Sequence, residues 1–200
     1  MTEPPAEGPG LRERALDAAT AQAIARGWDR VRMGLVAAAV GISRPTLYKQ
    51  FGDKQGLARA LLMREVGRFL TGVLAALDRH PDDPERAICA AIESALAEGE
   101  RNPLLRIVLT PGPGGHTDLL RLLTSEGTPV LTAIERAVGG WVASQFPQAG
   151  QQVRSLAVDA VARFALSHLV LPPPDPRAAA ASIARMTVGY LRADSVGEPN

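Results

Sequence analysis

Four side chains in the first third of the chain, Arg44, Thr46, Tyr48 and Lys49, can donate hydrogen bonds to an anionic partner. Guanidinium, hydroxyl, phenol and ammonium groups are those that proteins use to contact phosphates and base edges in duplex nucleic acid. On a helix these residues would face outward while Leu47 turns toward the interior. The spacing therefore predicts a short helix that presents hydrogen-bond donors to a nucleic-acid groove.

Positive charge is concentrated in the same part of the chain. Residues 11–70 hold 11 Lys and Arg against 5 Asp and Glu, whereas residues 81–200 hold 10 basic and 13 acidic residues. Both lysines of the protein, Lys49 and Lys54, lie in the basic segment. This asymmetry predicts a polyanionic partner for the N-terminal part, although a surplus of this size also fits an ordinary solvated surface.

The donor residues follow a tight turn between two short predicted helices. The first of these helices runs from about Met33 to Val40 and ends at Gly41, which can take the left-handed conformation that the turn requires. Ser43 is a good N-cap for the second helix, and Pro45 falls in its first turn, where a missing N–H is harmless. Two short helices joined by a glycine turn describe a helix-turn-helix.

The remainder of the chain predicts helices and no strands. A helix of about Leu11–Arg26 precedes the turn, and Asp53 caps a long helix that runs to about Leu77. Proline and glycine then punctuate the chain at helical lengths, and apolar spacing predicts helices at about Pro84–Gly99, Leu104–Leu109, Thr117–Leu123, Pro129–Phe146, Gln151–Leu171 and Pro176–Leu191. The fold class is therefore predicted to be all-α.

Several functional classes lack their sequence signatures. Cys89 is the only cysteine, which excludes an intramolecular disulfide framework and a CxxC site, and its apolar surroundings favour an inert thiol. The three histidines are scattered and form no metal-binding motif. The sequence also lacks a nucleophile triad, a P-loop and a dinucleotide-binding fingerprint in the flanking secondary structure that each requires. We therefore expect no enzyme activity, no cofactor and no metal. With neither a secretory leader nor a membrane span in view, we expect a cytoplasmic protein with no membrane partner.

The helix-turn-helix and its surroundings resemble the TetR family of bacterial repressors over about fifty residues. The residues that carry the likeness are Val36-Ala37, Val40-Gly41-Ile42-Ser43, Thr46-Leu47-Tyr48, Phe51 and Asp53-Lys54-Gln55-Gly56-Leu57. Residues 1–10, rich in proline and glycine, predict a disordered tail. The resemblance implies a three-helix DNA-binding domain at 11–56 and a helical regulatory and dimerisation domain at 57–193.

The same resemblance implies roles for individual residues of the DNA-binding part. Arg44 would make a bidentate contact to guanine, and Tyr48 and Lys54 would contact phosphates. Arg32 stands where most members place a Thr or Ser as N-cap, so it can reach a phosphate but loses the capping bond, and Gly34 weakens that helix. The residues expected to contact DNA are Arg32, Ser43, Arg44, Pro45, Thr46, Tyr48, Lys49 and Lys54.

The resemblance also implies a homodimer and a ligand pocket. The helices near 151–171 and 176–191 would pair with those of a second copy, with Leu156 and Phe164 on one apolar face and Ile183 and Val188 on the other. The dimer would bind a palindromic operator in double-stranded DNA and leave it on binding a small apolar effector. Activation instead of repression, or a helical interaction protein without DNA binding, stays open. The expected ligand-lining residues are Phe69, Leu104, Ile107, Val108, Trp141, Phe164 and His168, with Val73 beside them and Arg106, His116 or His168 as a polar anchor.

Overall fold

The structure is a computed structural model that describes residues 10–109 and 128–194, with side chains left undescribed at 107–109. Within these ranges the regular elements are helical, which confirms the all-α prediction. They are α1 (Leu11–Arg26), a 3₁₀ turn (Trp28–Arg30), α2 (Met33–Ala39), α3 (Arg44–Phe51), α4 (Lys54–Leu77), α5 (Pro84–Arg101), α6 (Pro103–Leu109), α7 (Thr128–Gln145), α8 (Gln151–Val170) and α9 (Pro176–Ala193). The helix predicted at 117–123 and nearly all of the predicted tail lie outside the described residues.

Polar caps set where several helices begin. The backbone N–H of Thr46 donates to Ser43 Oγ at 3.3 Å, and that of Gly56 donates to Asp53 Oδ1 at 2.7 Å. Asp83 and Asp175 cap α5 and α9 in the same way, each followed directly by a proline in the first turn. Such side chains satisfy N–H groups that have no partner inside the helix, so these starts were predictable from sequence.

Two clusters of buried apolar side chains form the interior. The first holds α1 to α3 against the N-terminal half of α4, and it extends to Leu104 of α6 and Val130 of α7. The second joins the C-terminal end of α4 to α5, α7, α8 and α9. Because α4 contributes Leu57 and Leu61 to the first cluster and Leu77 to the second, it connects the two cores. The predicted domain boundary at 56/57 stays a prediction.

Cys89 is half-buried beside the second cluster. Burial raises the pKa of its thiol, and the nearby Glu93 and Glu85 carboxylates raise it further. Because the thiolate is the reactive form, this environment favours the inert role that its apolar neighbours predict. Across residues 10–109 and 128–194, no helix is long and apolar enough to cross a bilayer, and no three His, Cys, Asp or Glu side chains are grouped as metal ligands.

Candidate nucleic-acid interface and ligand cavity

The turn between α2 and α3 is fixed by backbone geometry and by one buried side chain. Gly41 has φ 72°, in the left-handed region that favours glycine. The N–H of Ile42 then donates to the Ala37 carbonyl at 3.0 Å, which closes the turn against α2. Leu47 is 0% exposed and anchors α3 to the first core. The opposite face of α3 is thereby directed to solvent.

The outer face of α3 carries the predicted DNA-contacting residues. All the side chains expected there are exposed, namely Ser43, Arg44, Pro45, Thr46, Tyr48 and Lys49. The hydroxyls of Ser43 and Thr46 hydrogen-bond to each other at 2.8 Å. Both hydroxyls therefore already take part in hydrogen bonding at the N-terminus of α3. Tyr48 is 47% exposed, which leaves its hydroxyl end accessible. The structure brings these residues together, and their contacts with DNA stay predictions.

The side chain of Arg44 lies across α2. A Cβ added at Gly34 would stand 2.7 Å from Arg44 Nε and 2.8 Å from Nη2, closer than such atoms can approach. Arg32 is exposed at the N-cap of α2 and makes no side-chain capping bond, as the sequence indicated. Sequence reasoning predicted only that Gly34 weakens α2, so its contact with Arg44 is a feature that the motif did not reveal.

Lys54 has internal partners in this structure. Its Nζ donates to the Asp29 carbonyl at 3.0 Å and lies 5.6 Å from the centre of the Trp28 ring. The residue is half-buried and ties the first turn of α4 to the segment that follows α1. The family motif implied only a phosphate contact for Lys54, and that contact stays a prediction.

An apolar cavity of about 120 Å³ lies between α4, α5, α7, α8 and α9. Its walls include Phe69 and Val73 of α4, Trp141 of α7 and Val158 of α8. Among its described lining residues, Thr187 alone has a hydroxyl, and that hydroxyl donates to the Ile183 carbonyl at 2.7 Å. The described walls therefore offer an apolar ligand extensive contact and a charged ligand no counter-charge.

The predicted ligand-lining residues separate into several places. Phe69 and Trp141 line the apolar cavity, whereas Leu104 packs in the core of the DNA-binding part. Arg106 and His168 line a second cavity of about 410 Å³, which borders the first because Leu169 belongs to both linings. The side chains of Ile107 and Val108, and the whole of residues 111–116, which include His116, lie outside the described residues.

The prediction that Phe164 lines the cavity is wrong. Phe164 is 42% exposed and shares a groove on the outer side of α8 and α9 with Leu156, Met186 and Tyr190. The reason is helical spacing: Val158, Val161, Ala162 and Ala165 turn toward the cavity, so position 164 faces away from it.

The apolar face predicted for pairing on α9 also needs correction. Ile183 and Val188 are buried within the chain as part of the second core. The large exposed apolar residues of α9 are instead Met186 and Tyr190, and they line the same groove as Leu156 of α8. The predicted pair of helices thus keeps an exposed apolar surface, made by different residues of α9 than the sequence indicated.

Comparison with known proteins supports the two-part arrangement. Residues 15–61 match the family described as bacterial regulatory proteins, tetR family. Residues 83–188 match the family described as bacterial tetracyclin repressor, C-terminal domain. The first match contains α2 and α3, and the second contains most of the helices that surround the apolar cavity.

Individual relatives indicate the same family. The HTH-type transcriptional regulator AlkX of Mycobacterium tuberculosis is 31% identical over 191 residues, covering 93% of this chain and 87% of that protein. The HTH-type transcriptional activator FasR of Mycolicibacterium smegmatis is 35% identical over 83 residues, covering 42% of this chain and 37% of that protein. The crystal structure of the TetR family repressor AlkX from Dietzia is 30% identical, has a TM-score of 0.76 and covers 93% of this chain and 97% of that one. The chain belongs to the TetR family of bacterial transcriptional regulators.

Proposed function

We propose that this chain is a repressor that binds a palindromic operator as a homodimer and leaves it when a small apolar ligand enters the cavity. The observation that carries the proposal is the outer face of α3, where Arg44, Tyr48 and Lys49 are all exposed on a helix anchored by a buried Leu47. A rigid helix with cationic and hydroxyl donors on its solvent face suits the major groove of DNA.

The proposed dimer rests on the apolar groove of α8 and α9. Four large apolar side chains are about half exposed there, and soluble proteins rarely leave such a cluster in water. Pairing of two copies through this groove would cover them, namely Leu156 at 52%, Phe164 at 42%, Met186 at 54% and Tyr190 at 46% exposure. A two-fold axis between the copies would present two α3 helices to one face of DNA, about 34–36 Å apart.

The proposed ligand class follows from the walls of the apolar cavity. The Thr187 hydroxyl already donates its hydrogen to a backbone carbonyl. Ligand binding in the apolar cavity would therefore come from burial of apolar surface. The Dietzia relative is described as implicated in biodegradation of n-alkanes, which agrees with a hydrocarbon-like ligand here. Leu169 lines both cavities. It would therefore contact a ligand in the apolar cavity and also a group bound in the second cavity.

The proposed release mechanism uses α4. This helix contributes Leu57 and Leu61 to the core beneath α3 and contributes Phe69 and Val73 to the cavity wall. A ligand that fits the cavity best when α4 is displaced would favour a state in which the two α3 helices no longer match adjacent grooves. Its differential affinity for the two states supplies the free energy for release.

Substitution of Arg44 and Lys49 tests the DNA-binding role. We expect Arg44→Ala and Lys49→Ala each to weaken operator binding by about 1–3 kcal/mol, and the loss of a phosphate contact to lower the salt slope by about one. Operator fragments would be selected from random duplexes, and affinity would be measured by fluorescence anisotropy at several salt concentrations. Arg136→Ala removes an exposed cation of α7 and serves as the matched control. Absence of any binding to double-stranded DNA by the wild-type chain at low ionic strength would refute the proposal.

The sign of regulation has a specific alternative. FasR, which matches 42% of this chain, is described as an activator, so activation from a similar DNA-binding part is the second candidate. Transcription in vitro from a promoter that carries the selected operator separates the two, because added protein lowers transcript yield for a repressor and raises it for an activator.

Enlargement of a cavity-lining side chain tests the ligand role. Ala162 is buried and lines the cavity, so Ala162→Leu fills space that the ligand needs. We expect operator affinity to persist while the concentration of n-octane that releases the operator rises about tenfold or more, because one methylene in an apolar pocket is worth about 1–3 kcal/mol. Ala75→Leu places the same side chain on the exposed surface of α4 and should leave release unchanged. If the same n-octane concentration releases both variants from the operator, the cavity takes no part in the release mechanism.

A further inference from the structure

We propose that Gly34 of α2 sets the direction of the Arg44 guanidinium and thereby determines which operator bases this chain prefers. The inference rests on the DNA-binding role proposed above for α3. Gly34 is a positioning residue in this account, because it carries no side chain of its own and acts through Arg44.

The two residues fit one another closely. The position where a Cβ of residue 34 would stand lies 2.7 Å from Arg44 Nε, 2.8 Å from Nη2 and 2.9 Å from Cζ. The guanidinium plane thus occupies the space that any other residue at 34 would fill with its first side-chain carbon. Only a glycine at this position leaves room for Arg44 to cross from α3 to α2.

This packing orders the guanidinium end of the Arg44 side chain before DNA binds. A free arginine side chain has several rotatable bonds, and fixing them on binding costs affinity. Packed against the α2 backbone, the Arg44 guanidinium has less freedom to lose and a narrower choice of directions. Arg44 as a whole stays exposed, and a bidentate contact of its guanidinium with a base edge would carry sequence preference.

The backbone at Gly34 makes a clean experiment possible. Its φ lies outside the left-handed region, unlike those of Gly27, Gly41 and Gly52, so alanine fits the local conformation. Alanine also favours the helical state more than glycine does. The atoms that the new methyl group would meet belong to the far end of Arg44, so Gly34→Ala moves the guanidinium and leaves the fold of α2 intact.

The experiment compares Gly34→Ala, Arg44→Ala and the double variant in the full chain. Each protein is titrated against the selected operator and against duplexes in which one base pair of the half-site is changed at a time. We expect Gly34→Ala and Arg44→Ala to lose discrimination at the same base pair. Gly34→Ala should weaken binding to the best operator about tenfold, and its effect in the Arg44→Ala background should be less than about twofold. Thermal unfolding should show no loss of stability.

The matched control is Gly140→Ala, which adds a methyl group to an exposed helical glycine whose new position has, apart from its chain neighbours and the backbone of its own helix, no atom within 4 Å. It should leave both affinity and base preference unchanged. Three results would each overturn the inference: unchanged base preference in Gly34→Ala, an effect of Gly34→Ala that is equally large in the Arg44→Ala background, or a melting temperature of Gly34→Ala below that of the wild type. Failure of the wild-type chain to bind any duplex would be recognised separately, because it would refute the proposed function as well.

Discussion

Replacement of Trp28 by Ala is expected to lower the free energy of unfolding by about 3–5 kcal/mol, the usual cost of removing a large buried aromatic side chain. Trp28 is 1% exposed and lies directly after Gly27, whose φ of 81° ends α1. Its side chain belongs to the first core, and Lys54 Nζ lies 5.6 Å from the centre of its ring. The substitution therefore opens a cavity beneath the helix-turn-helix and removes a cation–π contact.

Chemical denaturation followed by circular dichroism measures this loss, and operator binding at increasing temperature measures its functional consequence. Trp28→Phe separates the two contributions, because it keeps most of the apolar volume and should cost clearly less than Trp28→Ala. Lys54→Met removes the ammonium group but keeps an apolar stem, and should cost about 1 kcal/mol. A loss below 1 kcal/mol for Trp28→Ala would contradict the view that this ring supports the DNA-binding part.

The local features of the fold were predictable because they depend on neighbours in sequence. Ser43 and Asp53 cap the next helices through atoms only three residues away, and Gly41 bends the chain through its own φ. Contacts between distant residues were not predictable in this way. Neither the position of Arg44 over Gly34 nor the bond from Lys54 to Asp29 leaves a pattern in the sequence, since each depends on how two separate elements meet.

The faces of α8 and α9 show a second limit of sequence reasoning. Both helices carry apolar residues on more than one side. Periodicity therefore predicts that these residues are covered, but it does not tell which side faces the cavity and which faces the outer groove. The structure divides α8 between the cavity, lined by Val158 and Ala162, and the outer groove, lined by Leu156 and Phe164. The helices that the family resemblance predicts for pairing carry the exposed groove, and pairing through them stays a prediction. The assignment of individual residues to the groove or to the cavity required tertiary structure.

A buried carboxylate joins α4 to the start of α6. Glu65 is 7% exposed, and its Oε1 accepts from Arg64 Nε at 3.3 Å and from Arg68 Nη1 at 3.2 Å. Its Oε2 accepts from Asn102 Nδ2 at 3.4 Å. Arg64 in turn donates to Asp17 of α1 at 2.8 Å. This polar network thus connects α1, α4 and the α5–α6 junction, between the core beneath α3 and the apolar cavity.

Within this network Arg64 has further partners that limit the cost of losing Glu65. It also donates to Thr20 Oγ1 at 2.9 Å and to Glu13 Oε2 at 3.3 Å, and Glu13 and Asp17 are both substantially exposed. Removal of Glu65 would therefore leave Arg64 with partners in α1 but would leave Asn102 without its carboxylate acceptor. The cost should lie near the lower end of the range for a broken buried ion pair.

Glu65→Ala is accordingly expected to destabilise the chain by about 3 kcal/mol. Glu98→Ala is the matched control, because Glu98 pairs with Arg101 at 3.7 Å on the surface, where such pairs contribute at most about 1 kcal/mol. Equilibrium unfolding in urea measures both variants under the same conditions. Equal losses for the two would show that the buried network adds nothing beyond a surface pair. A larger loss for Glu65→Ala than for Glu98→Ala would show that the buried carboxylate stabilises the junction of α4 with the start of α6.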